Sequence, residues 1–123
     1  MKRDADVVRN ILLATEAMPA GEYLAELPGV DAENFAFHVS ILIEAGFVDG
    51  RVQTFLGGGS HAVVLRLTWA GCDFLDAARS DTLWAKAKTS VIKPSASWTF
   101  DLLKEWLKAE ISSGLPTLRG LTS

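Results

Sequence analysis

Arg51-Val-Gln-Thr-Phe-Leu-Gly-Gly-Gly-Ser-His-Ala-Val-Val-Leu-Arg-Leu67 is the stretch on which the fold turns. Before it, apolar residues recur at helical spacing; within it, the period drops to two. Val52, Thr54 and Leu56 alternate with Arg51, Gln53 and Phe55, and Val63, Leu65 and Leu67 alternate with Val64 and Arg66. Two such runs around Gly57-Gly58-Gly59 predict a β-hairpin over 50–67. The loop exceeds a two-residue turn, so a mobile tip is expected. The glycines do not read as a phosphate loop. No lysine follows them, and they lead into a strand, not a helix.

Upstream, the spacing predicts a helix over 31–46. Asp31 is a good N-cap and Glu33 suits the positive first turn. Phe35, Val39, Leu42 and Ile43 form one stripe, widened by Phe37 and Ile41. Gly46 suits a left-handed C-terminal cap, with Phe47 and Val48 folding back on the last turn. Residues 22–28 leave two readings open, a short helix or an extended segment that pairs with the hairpin. A first helix is expected over 4–18, capped by Asp4. Val7, Val8, Ile11, Leu12 and Thr15 point inward, and Asp6, Arg9, Asn10 and Glu16 lie elsewhere on the wheel. Pro19 and Gly21 end it.

Downstream, Thr68 caps a helix over 69–79 with Phe74, Leu75 and Ala78 on its apolar side and Asp73, Asp76 and Arg79 opposite. Asp81 is expected to cap a helix over 82–92, with Leu83, Trp84, Ala87 and Val91 inward. Pro94-Ser95-Ala96-Ser97 reads as a linker. A last helix over 98–112 carries Leu102, Leu103, Trp106, Leu107 and Ile111 against Lys104, Glu105 and Lys108. Gly114 and Pro116 break it, and 114–123 reads as a flexible tail. The expected architecture is mainly α with a small β-hairpin: a winged helix over 1–113 as one domain, with additional C-terminal helices.

Two segments resemble winged-helix repressors. Leu24 to Val48, with His38 and the ending Leu42-Ile43-Glu44-Ala45-Gly46-Phe47-Val48, is similar to their "H-L-x-x-L-x-x-A-G-L-V". Leu67-Thr68-Trp69-Ala70-Gly71 resembles the "L-T-x-x-G" that leaves the second wing strand. Together with Met1-Lys2-Arg3-Asp4, Val8-Arg9-Asn10-Ile11-Leu12-Leu13, Phe74-Leu75-Asp76-Ala77 and Asp81-Thr82-Leu83-Trp84, these motifs resemble a family of small uncharacterised bacterial and prophage proteins, a domain of unknown function. The resemblance implies a winged-helix-like fold and a phage-related setting, and brings no activity with it. That pattern leads one to expect histidine after Gly71, where this chain has Cys72.

The totals narrow the classes. At 123 residues and 49% hydrophobic content, the chain is long and apolar enough to build a core without disulfides or metals. The single cysteine, Cys72, excludes an intrachain disulfide and reads as a small buried apolar residue. Asp4 and Asp6 interrupt any signal-peptide pattern, and no apolar run reaches membrane-span length, so the cytoplasm is the expected location.

No catalytic, cofactor or metal constellation emerges. His38 lies mid-helix and His61 in the loop, without the spacing of a metal site, so His38 reads as a structural histidine at the core edge. The pairs Asp73/Asp76 and Asp101/Glu105 read as solvated helix faces. The tryptophans Trp69, Trp84, Trp98 and Trp106 read as core and interface groups.

Charge placement says more. From Asn10 to Gly50 there is no lysine or arginine, against Glu16, Glu22, Glu26, Asp31, Glu33, Glu44 and Asp49. The helix that would enter a DNA groove therefore has no phosphate-binding cation. Protein–protein interaction is the expected role, non-enzymatic, with Glu33, Asn34, Phe37, His38, Arg51, Trp98, Leu102 and Trp106 as contacts. A homodimer through helix 98–112 is expected from its wide apolar arc. The alternative is a DNA-binding regulator using Arg51, Arg66, Lys86, Lys88 and Lys93; formal net charge is −3 and disfavours it.

Overall fold

Asp4 opens the first helix, α1 (Ala5–Ala17), in the computed structural model, which describes residues 1–93 and 98–114. Its carboxylate accepts the N–H groups of Asp6 at 2.9 Å and Val7 at 3.4 Å. Val7, Val8, Ile11, Leu12 and Thr15 are buried, as the spacing predicts. Arg9 is buried too, contrary to its expected place on the polar side. Ala5, Arg9 and Leu12 fall at i, i+4 and i+7, so the buried arc is wider than the apolar stripe.

Of the two readings for 22–28, the extended one holds. Leu24 and Val64 exchange both backbone hydrogen bonds, at 3.0 and 2.8 Å. A bridge between Leu27 and Val30 then closes a turn at Gly29, whose φ is +80°. Helix α2 (Ala32–Glu44) follows, with Asp31 accepting the Asn34 N–H at 2.8 Å. It ends at Gly46, left-handed at φ +77°, and the Phe47 N–H returns to the Leu42 carbonyl at 3.0 Å.

The hairpin pairs β1 (Val48–Thr54) with β2 (Ser60–Leu67), and α2 packs across both strands. The buried hairpin residues are Val48, Ala62 and Val64. The sequence alternation had set Val63, Leu65 and Leu67 together against Val64. The ladder corrects this. Arg51 pairs with Val63 and Val52 with Ala62, while the register shifts between Asp49 and Gly50 and leaves Leu65 over as an extra residue. Leu65 is thereby largely exposed. The tip is no open loop. Gly58 donates to the Phe55 carbonyl and Phe55 to the Gly59 carbonyl, both at 3.0 Å, with positive φ at Gly58 and Gly59.

Helix α3 (Trp69–Ala78) leaves the hairpin through a backbone clasp. The Thr68 N–H donates to the Phe47 carbonyl at 3.0 Å, and its hydroxyl donates to the Gly46 carbonyl. The same hydroxyl oxygen accepts the Gly71 N–H at 3.1 Å and so caps the helix. A Cβ on Gly71 would stand 1.9 Å from the Phe47 oxygen, so only glycine fits there. The rings of Phe47 and Phe74 stack with centroids 5.0 Å apart. Cys72 is exposed, not buried as expected. It shares an exposed row with Trp69 and Asp76 at helical spacing, while Gly71, Phe74 and Leu75 face inward.

The chain divides into two compact units, Met1–Leu75 and Asp76–Ser123. In the second, Ser80 accepts the Leu83 N–H at 3.2 Å and is the cap of α4 (Asp81–Ala87); Asp81, expected in that role, is the first helical residue. The helix continues as a π-helical turn over Lys88–Ile92, in which the Lys93 N–H reaches back five residues to the Lys88 carbonyl. Helix α5 (Phe100–Gly114) packs on α4 and this turn. Trp84, Ala87, Val91, Leu103 and Leu107 are buried. The expected linker at 94–97 and all but Gly114 of the expected flexible tail at 114–123 lie outside the described residues.

Candidate functional site

A cleft of about 330 Å³ opens in the first unit between α2 and the distal half of the hairpin. Its floor and walls come from Ala36, Phe37 and Ser40 on α2, and from Val52, Thr54 and Ser60 on the strands. Glu33 and Met1 stand at its rim. Helical spacing places 33, 36, 37 and 40 on one face of α2, and strand alternation places Val52 and Thr54 on one face of β1. Thr54 pairs with Ser60, so the two hydroxyl residues lie side by side at the hairpin end. The cleft therefore mixes the apolar Met1, Ala36, Phe37 and Val52 with the hydroxyls of Ser40, Thr54 and Ser60 and a single carboxylate. Glu33 leans over the turn, its Oε1 3.9 Å from where a Cβ on Gly59 would be. Among the described residues, Glu33 has no ion pair or hydrogen bond through its carboxylate.

His38 lies behind the cleft, fully buried. The Asp4 N–H donates to Nε2 at 2.9 Å, so Nε2 is the acceptor and the ring proton sits on Nδ1. Nδ1–H then donates to the Asn34 carbonyl at 2.8 Å. Phe37 meets the ring edge-on at a centroid distance of 5.1 Å. His38 thus ties the start of α1 to α2. Named as a surface contact on sequence grounds, it has no face left for a partner, and it matches the structural role weighed for it. The same bond draws Met1, Lys2 and Arg3 toward α2, a proximity invisible in a window running from Asn10 to Gly50.

The remaining predicted contacts scatter. Asn34 and Phe37 are half-buried and Glu33 and Arg51 exposed on the first unit. On the second unit, Trp98 is buried and meets Phe100 edge-on at 5.4 Å, Trp106 is half-buried, and Leu102 is 49% exposed. Of the five cations considered for nucleic acid, Arg66 is paired with Asp49 at 2.6 Å and Lys86 with Glu110 at 3.3 Å. Arg51 and Lys93 are exposed and Lys88 is half-buried.

The sequence reading missed Met1, Ala36, Ser40, Val52, Thr54 and Ser60 as cleft residues. The signal for Val52 and Thr54 was present in the strand alternation; that for Met1 was not, since it depends on the Asp4–His38 bond. Among the described residues, no group of three or more His, Cys, Asp or Glu could hold a metal ion, and no helix is long and apolar enough to cross a membrane.

Residues 2–97 match the family described as "Hypothetical protein (DUF2513)". An "Uncharacterized protein" of Haemophilus influenzae is 33% identical over 118 residues, covering 94% of this chain and 99% of that one. No solved structure matches.

Proposed function

The chain belongs to the DUF2513 family of hypothetical proteins, and within it we propose that this protein is a non-enzymatic interaction module that binds another protein. The observation that carries this reading is the face of α2 beside the cleft. It presents Asp31, Glu33, Asn34 and Phe37 and carries no lysine or arginine along its whole length. Such a face repels phosphates and suits a partner with basic and apolar side chains. We read residues 1–75 as a winged-helix-like unit. Support comes from the order α1, paired Leu24 segment, α2, hairpin, α3. The phage-related setting rests on the resemblance to bacterial and prophage proteins alone, and the cytoplasmic one on the sequence pattern alone.

A DNA-binding reading is kept for one reason: Arg51 is exposed, and the Asp4–His38 bond brings Lys2 and Arg3 toward α2. The pairing of Arg66 and Lys86 with carboxylates weakens it. A homodimer through 98–112 retains Leu102 and part of Trp106 as its contact surface, which is small against what a stable interface buries. Fluorescence anisotropy with duplex DNA of random sequence at moderate salt tests the choice. No binding at micromolar concentrations is expected; tight binding lost in Arg51→Ala and Asn34→Ala would replace the interaction module with a regulator.

A further inference from the structure

The outer edge of β1 adds a second feature to the cleft. Among the described residues, β1 pairs with β2 along one edge, and no strand or bridge lies along the other. The direction of its free groups follows from β2. Val64 gives both backbone groups to Leu24, on the side away from β1. In an antiparallel ladder the direction alternates, so Val63 and His61 turn toward β1, and their partners Arg51 and Gln53 turn toward β2. The N–H and C=O groups of Val52 and Thr54 therefore point outward at the open edge. Their side chains line the cleft. Two residues thus offer backbone groups to an incoming strand and side chains to its residues.

We propose that an extended segment of a partner protein adds to the free edge of β1, with an apolar side chain seated between Phe37 and Val52 and a lysine or arginine paired with Glu33. This rests on the interaction-module reading and names the chemistry of its partner. Strand addition supplies affinity through main-chain hydrogen bonds, and alternate side chains supply specificity. The charge assignment follows from Glu33, the one charged side chain lining the cleft, whose carboxylate has no ion pair among the described residues. An acidic segment would meet Glu33 and an α2 that has no cation to receive it. A second copy of the chain, paired β1 to β1, is the other occupant that the test distinguishes.

The test uses the full chain and a displayed library of linear peptides about ten residues long, the span of a strand-addition ligand. Enriched peptides should carry alternating apolar residues and at least one lysine or arginine. Their binding should fall at least about fivefold in Glu33→Lys, a variant at an exposed position. Thr54→Pro should abolish it, because proline removes an outward N–H while leaving the ladder to β2 intact. Amide shifts on the unmodified chain should concentrate at 49–54 and Phe37, which keeps the test valid if Thr54→Pro fails to fold. No enriched peptide, or shifts elsewhere on the surface, would overturn the inference and leave the interaction-module reading standing. The same amides shifting with protein concentration would assign the edge to a second copy and overturn it. Shifts at these amides on adding duplex DNA would overturn both readings.

Discussion

The base and the tip of the hairpin are held by different kinds of force. At the base, backbone meets backbone: Phe47 accepts from Thr68, Gly46 from the Thr68 hydroxyl, and Gly71 touches the Phe47 carbonyl. At the tip, Thr54–Ser60 turns on its own hydrogen bonds, and Phe55 and Leu56 face water. Of the two segments that resemble winged-helix repressors, the end of the first, Gly46-Phe47-Val48, and the whole of the second, Leu67 to Gly71, fall at the base. What they encode is a contact that tolerates no side chain. The tip and the free edge carry no motif at all. Resemblance here marks where the hairpin is fixed and is silent about its far end.

Substitutions at the two ends should therefore differ in scale. The largest effect is expected from Gly71→Ala, whose Cβ would overlap the Phe47 oxygen. A loss of about 3 kcal/mol or more, or failure to accumulate folded protein, should appear in urea denaturation. A loss below about 1 kcal/mol would break the comparison at its firmest point, since it would mean that α3 can retreat from Phe47. Next is His38→Leu, which removes the acceptor for Asp4 N–H and the donor to Asn34. A cost of about 2 kcal/mol is expected, with faster amide exchange at the start of α1. Thr68→Val deletes the cap of α3 and the bond to Gly46, and should cost about 1 to 2 kcal/mol. At the other end, Leu56→Ser should change stability by no more than about 0.5 kcal/mol, because the side chain is fully exposed. A larger loss would show that the tip is held by something beyond its own turn. The smallest effect concerns the second unit. Leu102→Ser should leave both stability and sedimentation unchanged, and a shift from dimer to monomer would restore the dimer expected through 98–112.

Local chemistry accounts for what was legible. Asp4, Asp31 and Thr68 act as caps where their residue types and positions said they would, and Gly46 takes the left-handed conformation. These features depend on four or five neighbouring residues, so a single sequence carries them. The errors share a different cause. Leu65 was set on the wrong footing because one extra residue shifts the ladder beside Gly50, and a bulge has no marker in an alternating pattern. Gly50 was itself the clue, since a Cβ there would stand 2.5 Å from the Val63 carbonyl oxygen. Cys72 was taken as buried from its residue type, whereas its place on the wheel beside Trp69 and Asp76 put it outside. Of the tryptophans read as core and interface groups, Trp69 is 85% exposed and so lies outside the core. Of the cleft, Glu33 and Phe37 were named from sequence. Met1 and Ser60 enter it only through contacts between distant segments, which neither period nor charge can reveal.

The clasp at the base also has a consequence for how such a chain can change over time. Near its base the hairpin is tied down by that junction, by the Leu24–Val64 pair and by the buried Val48, Ala62 and Val64, whereas from Gln53 to Gly59 it is exposed. Lengthening, trimming or recolouring that exposed end leaves the junction's geometry untouched, much as a tool bit can be exchanged in a chuck. A sequence that keeps Gly46-Phe47 and Thr68-x-x-Gly71 is then free to vary the tip of the hairpin without passing through an unfolded intermediate sequence.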